Sequence, residues 1–121
     1  MSGYFTNEFG MVIISSAIIK SFIARDLIKG KLYRPDNEKP DAVNLSEDLR
    51  IRNAQRCVSV SFQDSNVFVT VEIQVQFGAK ITEVASKLVE EIKRTIEITT
   101  GLNVAEVIVK VNSVYMQPEE I

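Results

Sequence analysis

The run VFVTVEIQVQF, Val67 to Phe77, alternates apolar and other residues without a break. A strand shows successive side chains to opposite faces, so this period of two commits Val67, Val69, Val71, Ile73, Val75 and Phe77 to one face. Phe68, Thr70, Glu72, Gln74 and Gln76 fall on the other. Just upstream, CVSVSF alternates in the same way with Val58, Val60 and Phe62 inward, and QDSN between the two runs supplies turn-forming residues. The pair is expected to be an antiparallel hairpin. Gly78 then marks the change from a period of two to one of 3.6.

Beyond Gly78, residues Ile81, Val84, Ala85, Leu88, Val89, Ile92 and Ile96 fall within about 140° of arc at helical spacing and make one core-facing stripe. Glu83, Lys87, Glu90, Glu91, Lys93, Arg94 and Glu97 occupy the opposite side, where Glu83 with Lys87 and Glu90 with Arg94 have the favourable i,i+4 order. Thr99, Thr100, Gly101 and Leu102 read as a helix end, with Gly101 left-handed and Leu102 folded back onto the last turn. A final strand with Val107, Val109 and Val111 inward follows.

The front of the chain repeats this scheme more loosely. GMVII is a short strand, Ser15 or Ser16 caps a helix from about Ala17 to Lys29, and Gly30 ends it. Ile19, Phe22, Ile23 and Leu27 form its buried face. Ile18 and Ile28 lie off that face and call for a second contact, with the following loop or another subunit. From Tyr33 to Arg56 the period lapses, with Pro35, Pro40 and ten charged residues. This stretch is read as a long charged surface loop, with NLSEDLRI forming one helical turn capped by Ser46.

The whole chain, residues 1–121, is then one α+β domain of β-α-β-β-α-β order. One mixed or antiparallel sheet carries both helices on one face. The other face is left open, with Ser59, Ser61, Phe68, Thr70, Glu72, Gln74, Gln76, Ile108 and Lys110 on it. Phe68, Thr70, Glu72, Gln74, Ile108 and Lys110 are the candidate interaction face, because they combine low charge density with two large apolar groups. Arg50, Arg52 and Arg56 are a candidate loop contact.

Chemistry finds few supports in this composition. No histidine is present, which removes the commonest general base, the usual triads and histidine-containing metal sites. Cys57, the only cysteine, lacks an activating base; Arg56 precedes it, but strand alternation points the two side chains apart. Glu90 and Glu91 are adjacent on a helix and diverge by about 100°. The five glycines are too scattered for a phosphate loop. No enzyme activity, cofactor or metal is therefore expected. A net charge of −2 does not favour nucleic acid or anionic lipid. No apolar run approaches the ~20 residues of a membrane span, and MSGYFTNEFG lacks the marks of a secretory signal, so a cytoplasmic location is expected.

The segment from Val71 to Val114 resembles the C-terminal signature of the alkaline shock protein family of envelope stress proteins of Gram-positive bacteria. An alternating strand reaches the pair Phe77 and Gly78, an amphipathic helix runs into Thr100, Gly101 and Leu102, and valines follow at Val104, Val107, Val109 and Val111. GMVIISSAIIKSFIA is similar to the family's opening strand and first helix. Between Gly30 and Arg56 the chain departs from the pattern, with Lys31 where a valine is usual and a longer charged loop. The resemblance implies a non-enzymatic cytoplasmic protein that self-associates and is held near the membrane by a separate anchoring protein, and it carries no catalytic residues over. Two other classes stay open. A KH-like RNA-binding module would use Lys29, Lys31, Arg34, Arg50, Arg52 and Arg56 as a basic patch, although its Gly-x-x-Gly clamp is missing. A small metabolite-binding domain or enzyme would assemble its site from arginines and carboxylates.

Overall fold

The computed structural model describes residues 2–30, 32 and 47–115. In chain order these form β1 (Ser2–Asn7), β2 (Gly10–Ser15), α1 (Ser16–Lys29), α2 (Glu47–Ala54), a 3₁₀ turn (Gln55–Cys57), β3 (Val58–Gln63), β4 (Asn66–Gln76), α3 (Ile81–Thr100) and β5 (Asn103–Tyr115). The class is α+β, as the sequence predicts, with two additions to the expected order. A strand precedes the GMVII segment, and a full helix stands before the central hairpin.

The strands fall into two ladders rather than one sheet: β1 with β2, and β3-β4-β5 with β4 central. β3 pairs antiparallel with β4 from Val58 opposite Val71 to Gln63 opposite Asn66. Asp64, at φ 58°, takes the left-handed conformation that a two-residue hairpin turn demands. β5 lies parallel to β4, and α3 supplies the long crossover that parallel neighbours require. The three-stranded sheet is thus mixed.

Both long helices cover the same sheet face. Val67, Val69, Val71, Ile73 and Val75 of β4 are at most 1% exposed, and they share one core with Ile19, Ile23 and Leu27 of α1 and Leu88, Ile92 and Ile96 of α3. Gly101 adopts φ 77° and donates its N–H to the Glu97 carbonyl, ending α3 as expected, and Leu102 returns to the core. Several predicted members of the inward rows lie outside it: Phe22, Ala85 and Val89 are half-buried, and two more are exposed. Phe77 sits in the turn after β4 and is 65% exposed, and Ile81 opens α3 at 41%. Both lie where the strand has ended and the helix has yet to dock, so neither has a facing layer.

Two β-bulges solve a parity problem in the last strand. Val104 and Val107 are three residues apart, so strict alternation cannot turn both inward. Register shifts between Val67 and Phe68, and again between Ile73 and Gln74 of β4, insert an extra β5 residue at each place. At the first of them the Val104 N–H donates to Glu97 Oε2 at 3.1 Å. Glu97 therefore leaves the solvated helix face expected for it and is half-buried.

The charged loop expected over 33–56 is corrected in its second half. Residues 47–57 form α2 and the 3₁₀ turn, where Ile51 and Ala54 are buried against Ala24 of α1 and pack with Ile28. This is the second contact that Ile28 required. Cys57 belongs to the 3₁₀ turn rather than a strand and packs, half-buried, against the main core. The Tyr33–Ser46 part of the predicted loop, including the Ser46 cap, lies outside the described residues. Leu32, after α1, accepts a hydrogen bond from Gln74 N–H at 2.9 Å, joining the chain there to β4 beyond the end of β3.

α1 and α3 also meet at a carboxyl. Burial pushes the Asp26 carboxyl above the ordinary carboxylate range and the nearby Glu91 adds to the shift, while the Thr95 hydroxyl, 3.5 Å from Oδ2, and Lys29 act against it.

These contacts set two expectations. Ile92→Ala should cost about 2–5 kcal/mol through lost burial and cavity formation, whereas Glu90→Ala, at an exposed position, should stay within about 0.5 kcal/mol. Urea melts distinguish them, and equal losses would show that α3 faces the core differently. For Asp26 the folded-state pKa is raised, so its favourable contribution is complete when protonated and is lost as pH rises through that pKa. Asp26→Asn should therefore raise the urea midpoint at neutral pH, and the gain should vanish at pH values below the ordinary carboxylate range. A destabilised variant at neutral pH would show that the charged carboxyl is favourable where it stands.

Candidate functional site

The six residues of the candidate interaction face come together because the sheet register brings them together. On β4, Phe68, Thr70, Glu72 and Gln74 form one column, opposite the buried valine row. Ile108 of β5 is paired beside Thr70, and Lys110 beside Glu72. On the other flank Ser61 stands beside Phe68 and Ser59 beside Thr70. Glu106, paired with Phe68, also belongs to this face. Plain alternation back from Lys110 and Ile108 is the sequence signal that could have located it, and Val104 followed three residues later by Val107 marks the bulge at Ala105 just before it.

Exposure along the face is graded. Ile108 is 43% exposed, and Ser59, Ser61, Glu72, Glu106 and Lys110 are exposed as well. Phe68, Thr70, Gln74 and Gln76 are half-buried. Glu72 and Lys110 stand as neighbours of opposite charge across the parallel β4–β5 pair. The face carries an aromatic group on its central strand and an aliphatic group on the edge strand β5, with hydroxyl, amide and charged groups around them. Such a surface can make contacts with another protein.

The arginine trio spans α2 and the 3₁₀ turn after it. Arg52 is exposed in the last turn of α2 and Arg56 is exposed in the 3₁₀ turn that follows. Arg50 lies in α2, and its side chain is outside the described residues, as are Lys31 and Arg34. Residues 50 and 52 are two apart on a helix, which separates them by about 200° around its axis. No group of three or more Cys, Asp or Glu among the described residues is placed to hold a metal ion. Among the same residues no helix is long and apolar enough to cross a membrane.

Sequence reasoning read GMVII, now β2, as a strand but missed β1 and the hairpin that joins the two. Its strands pair from Ser2 opposite Ser15 to Asn7 opposite Gly10. Asn7 Oδ1 accepts from the N–H groups of Phe9 and Gly10, at 2.8 and 3.1 Å, and so closes the turn. Asn first and Gly fourth in NEFG is a turn signal that was there to be read. Gly3 lets this ribbon approach the core, because a Cβ there would stand 2.8 Å from the Phe62 ring and 2.9 Å from Leu102.

A family model described as having a cell envelope-related function, that of alkaline shock protein 23, matches residues 6–116. It agrees with the resemblance carried by the Phe77-Gly78 and Thr100-Gly101-Leu102 motifs. No curated protein and no solved structure matches the chain.

Proposed function

The chain belongs to the alkaline shock protein 23 family, whose function is cell envelope-related, and we propose that within that setting it is a non-catalytic scaffold. It acts by associating with itself and by binding a protein partner that holds it near the membrane. The observation that carries this reading is the open face of the three-stranded sheet. Both long helices cover one side, and the other presents Phe68 and Ile108 among serines, threonine and amides with few charges. Interfaces between proteins are built in this way, with an apolar centre that is poor in charge and a polar rim. The large aromatic group at the centre is the expected anchor.

The scaffold reading also accounts for what the sequence does not supply. A cytoplasmic protein with no histidine, one half-buried thiol and diverging carboxylates has little with which to transfer a proton or a group. Membrane proximity through a partner is the natural route for a chain whose net charge is negative and therefore unsuited to anionic lipid.

Phe68→Lys with Ile108→Lys places two charges on the proposed contact. The double variant should keep its circular dichroism spectrum, because neither side chain belongs to the buried core. In affinity capture from native cells with membranes retained, it should lose the envelope partners that the wild-type chain recovers. Full recovery of those partners by the folded double variant would refute a role for this face.

A further inference from the structure

The open sheet face carries Glu72, Glu106 and Lys110, and their partners across the β4–β5 pair are unlike. Glu72 stands beside Lys110, whereas Glu106 stands beside Phe68. Four residues of extended chain, about 13 Å, separate Glu106 from Lys110 along β5. The other flank of Phe68 is Ser61, which has no charge to offer. Glu106 is exposed, and no cation lies within ion-pairing distance of it among the described residues, where Lys80 with Glu83 is the ion pair formed. Neighbouring strands run about 4.8 Å apart, so this carboxylate and the Phe68 ring border one small area of the face.

A ring and a carboxylate side by side suit one kind of side chain. A guanidinium is planar, so its face can stack on an aromatic ring while its edge donates two hydrogen bonds to a carboxylate. A nucleobase would also stack on the ring, but the strand that carries it would bring phosphates up to Glu72 and Glu106. That repulsion disfavours nucleic acid. A second copy turned face to face would present the same patch, and the register places no arginine on it. Arg25 and Arg94 lie on α1 and α3, the helices that cover the opposite side of the sheet. The arginine is therefore sought on another protein. A partner held in a membrane supplies it readily, because the segments that flank a span on its cytoplasmic side carry an excess of Lys and Arg.

We propose that Phe68 and Glu106 form an arginine receptor on the sheet face: a guanidinium of the partner protein lies on the Phe68 ring and pairs with the Glu106 carboxylate. The inference rests on the reading of this face as the partner-binding surface and names the chemistry by which the face selects its partner.

The probe is a blocked tripeptide, acetyl-Ser-Arg-Val-amide, titrated into the isotope-labelled full chain and followed through the backbone amide resonances. Its citrulline counterpart has the same shape and no charge. The arginine peptide should shift the resonances of Ser61, Phe68 and Glu106 and saturate with a Kd on the order of millimolar. The citrulline peptide should bind at least tenfold more weakly. Glu106→Gln and Phe68→Leu, folded by circular dichroism, should weaken the arginine peptide by the same factor, while Phe68→Tyr keeps the ring and should bind as wild type does. Shifts that are absent, or equal binding of the two peptides, overturn the proposal. Capture from native cells with membranes retained separates this inference from the reading beneath it. Partners lost by Phe68→Lys with Ile108→Lys, yet kept undiminished by both Glu106→Gln and Phe68→Leu, would overturn the arginine receptor and leave the partner face standing. Retention of the partners by all of these variants would overturn both. Binding of an oligouridine by wild type that Phe68→Leu abolishes would assign the ring to a nucleobase and also overturn the proposal.

Discussion

The burial of a single row on β4 holds the rest of the fold in place. Val67, Val69, Val71, Ile73 and Val75 are all at most 1% exposed, and each is covered by side chains from helices on one side of the sheet. A slip of one residue in either ladder would turn this row to solvent and bury Thr70, Glu72, Gln74 and Gln76 in its place. Sheet register, the two bulges of β5 and the docking of α1 and α3 are therefore one constraint expressed several times. The open face is its necessary complement. Residues that alternate with a completely buried row have nowhere else to point, so the candidate interaction face follows from the core.

Where a side-chain period was long and uninterrupted, the sequence could be read closely. The β3–β4 hairpin, α3, the Gly101 stop and the inward valines of β5 come from patterns that involve only neighbouring residues. The six-residue face was legible for the same reason. Glu106 was overlooked although it alternates with Ile108 and Lys110; the bulge at Ala105 was harder to see, because it answers to pairing with β4 and leaves only a three-residue valine spacing in the sequence. α2 was obscured by its composition: EDLRIRNA is strongly polar, and among its described side chains Ile51 and Ala54 are the ones buried against α1. Its helical state depends on that docking more than on any amphipathic stripe, since isolated helices of eight residues are marginal in water.

The missed first strand has a different cause. GMVII could be read as a strand from its apolar run alone, whereas SGYFTN has neither such a run nor a contrast between an apolar face and a polar one. Met11, Val12, Ile13 and Ile14 are consecutive apolar residues, and SGYFTN places its two aromatics side by side on opposite faces. The absence of contrast that hides β1 from pattern reading is also what leaves the ribbon with two apolar faces in water. An unpatterned apolar strand inside a fold is covered by layers on both sides; here no element among the described residues forms such a layer over its outer half.

The two open surfaces therefore differ in kind, and that difference bears on how a scaffold could be built. The sheet face carries Glu72, Glu106 and Lys110 around Phe68 and Ile108, a mixture that tolerates water and suits a contact that forms and separates. The ribbon has one carboxylate at its tip and exposed apolar groups on both sides, so it lacks the polar surround that lets the sheet face stand in water.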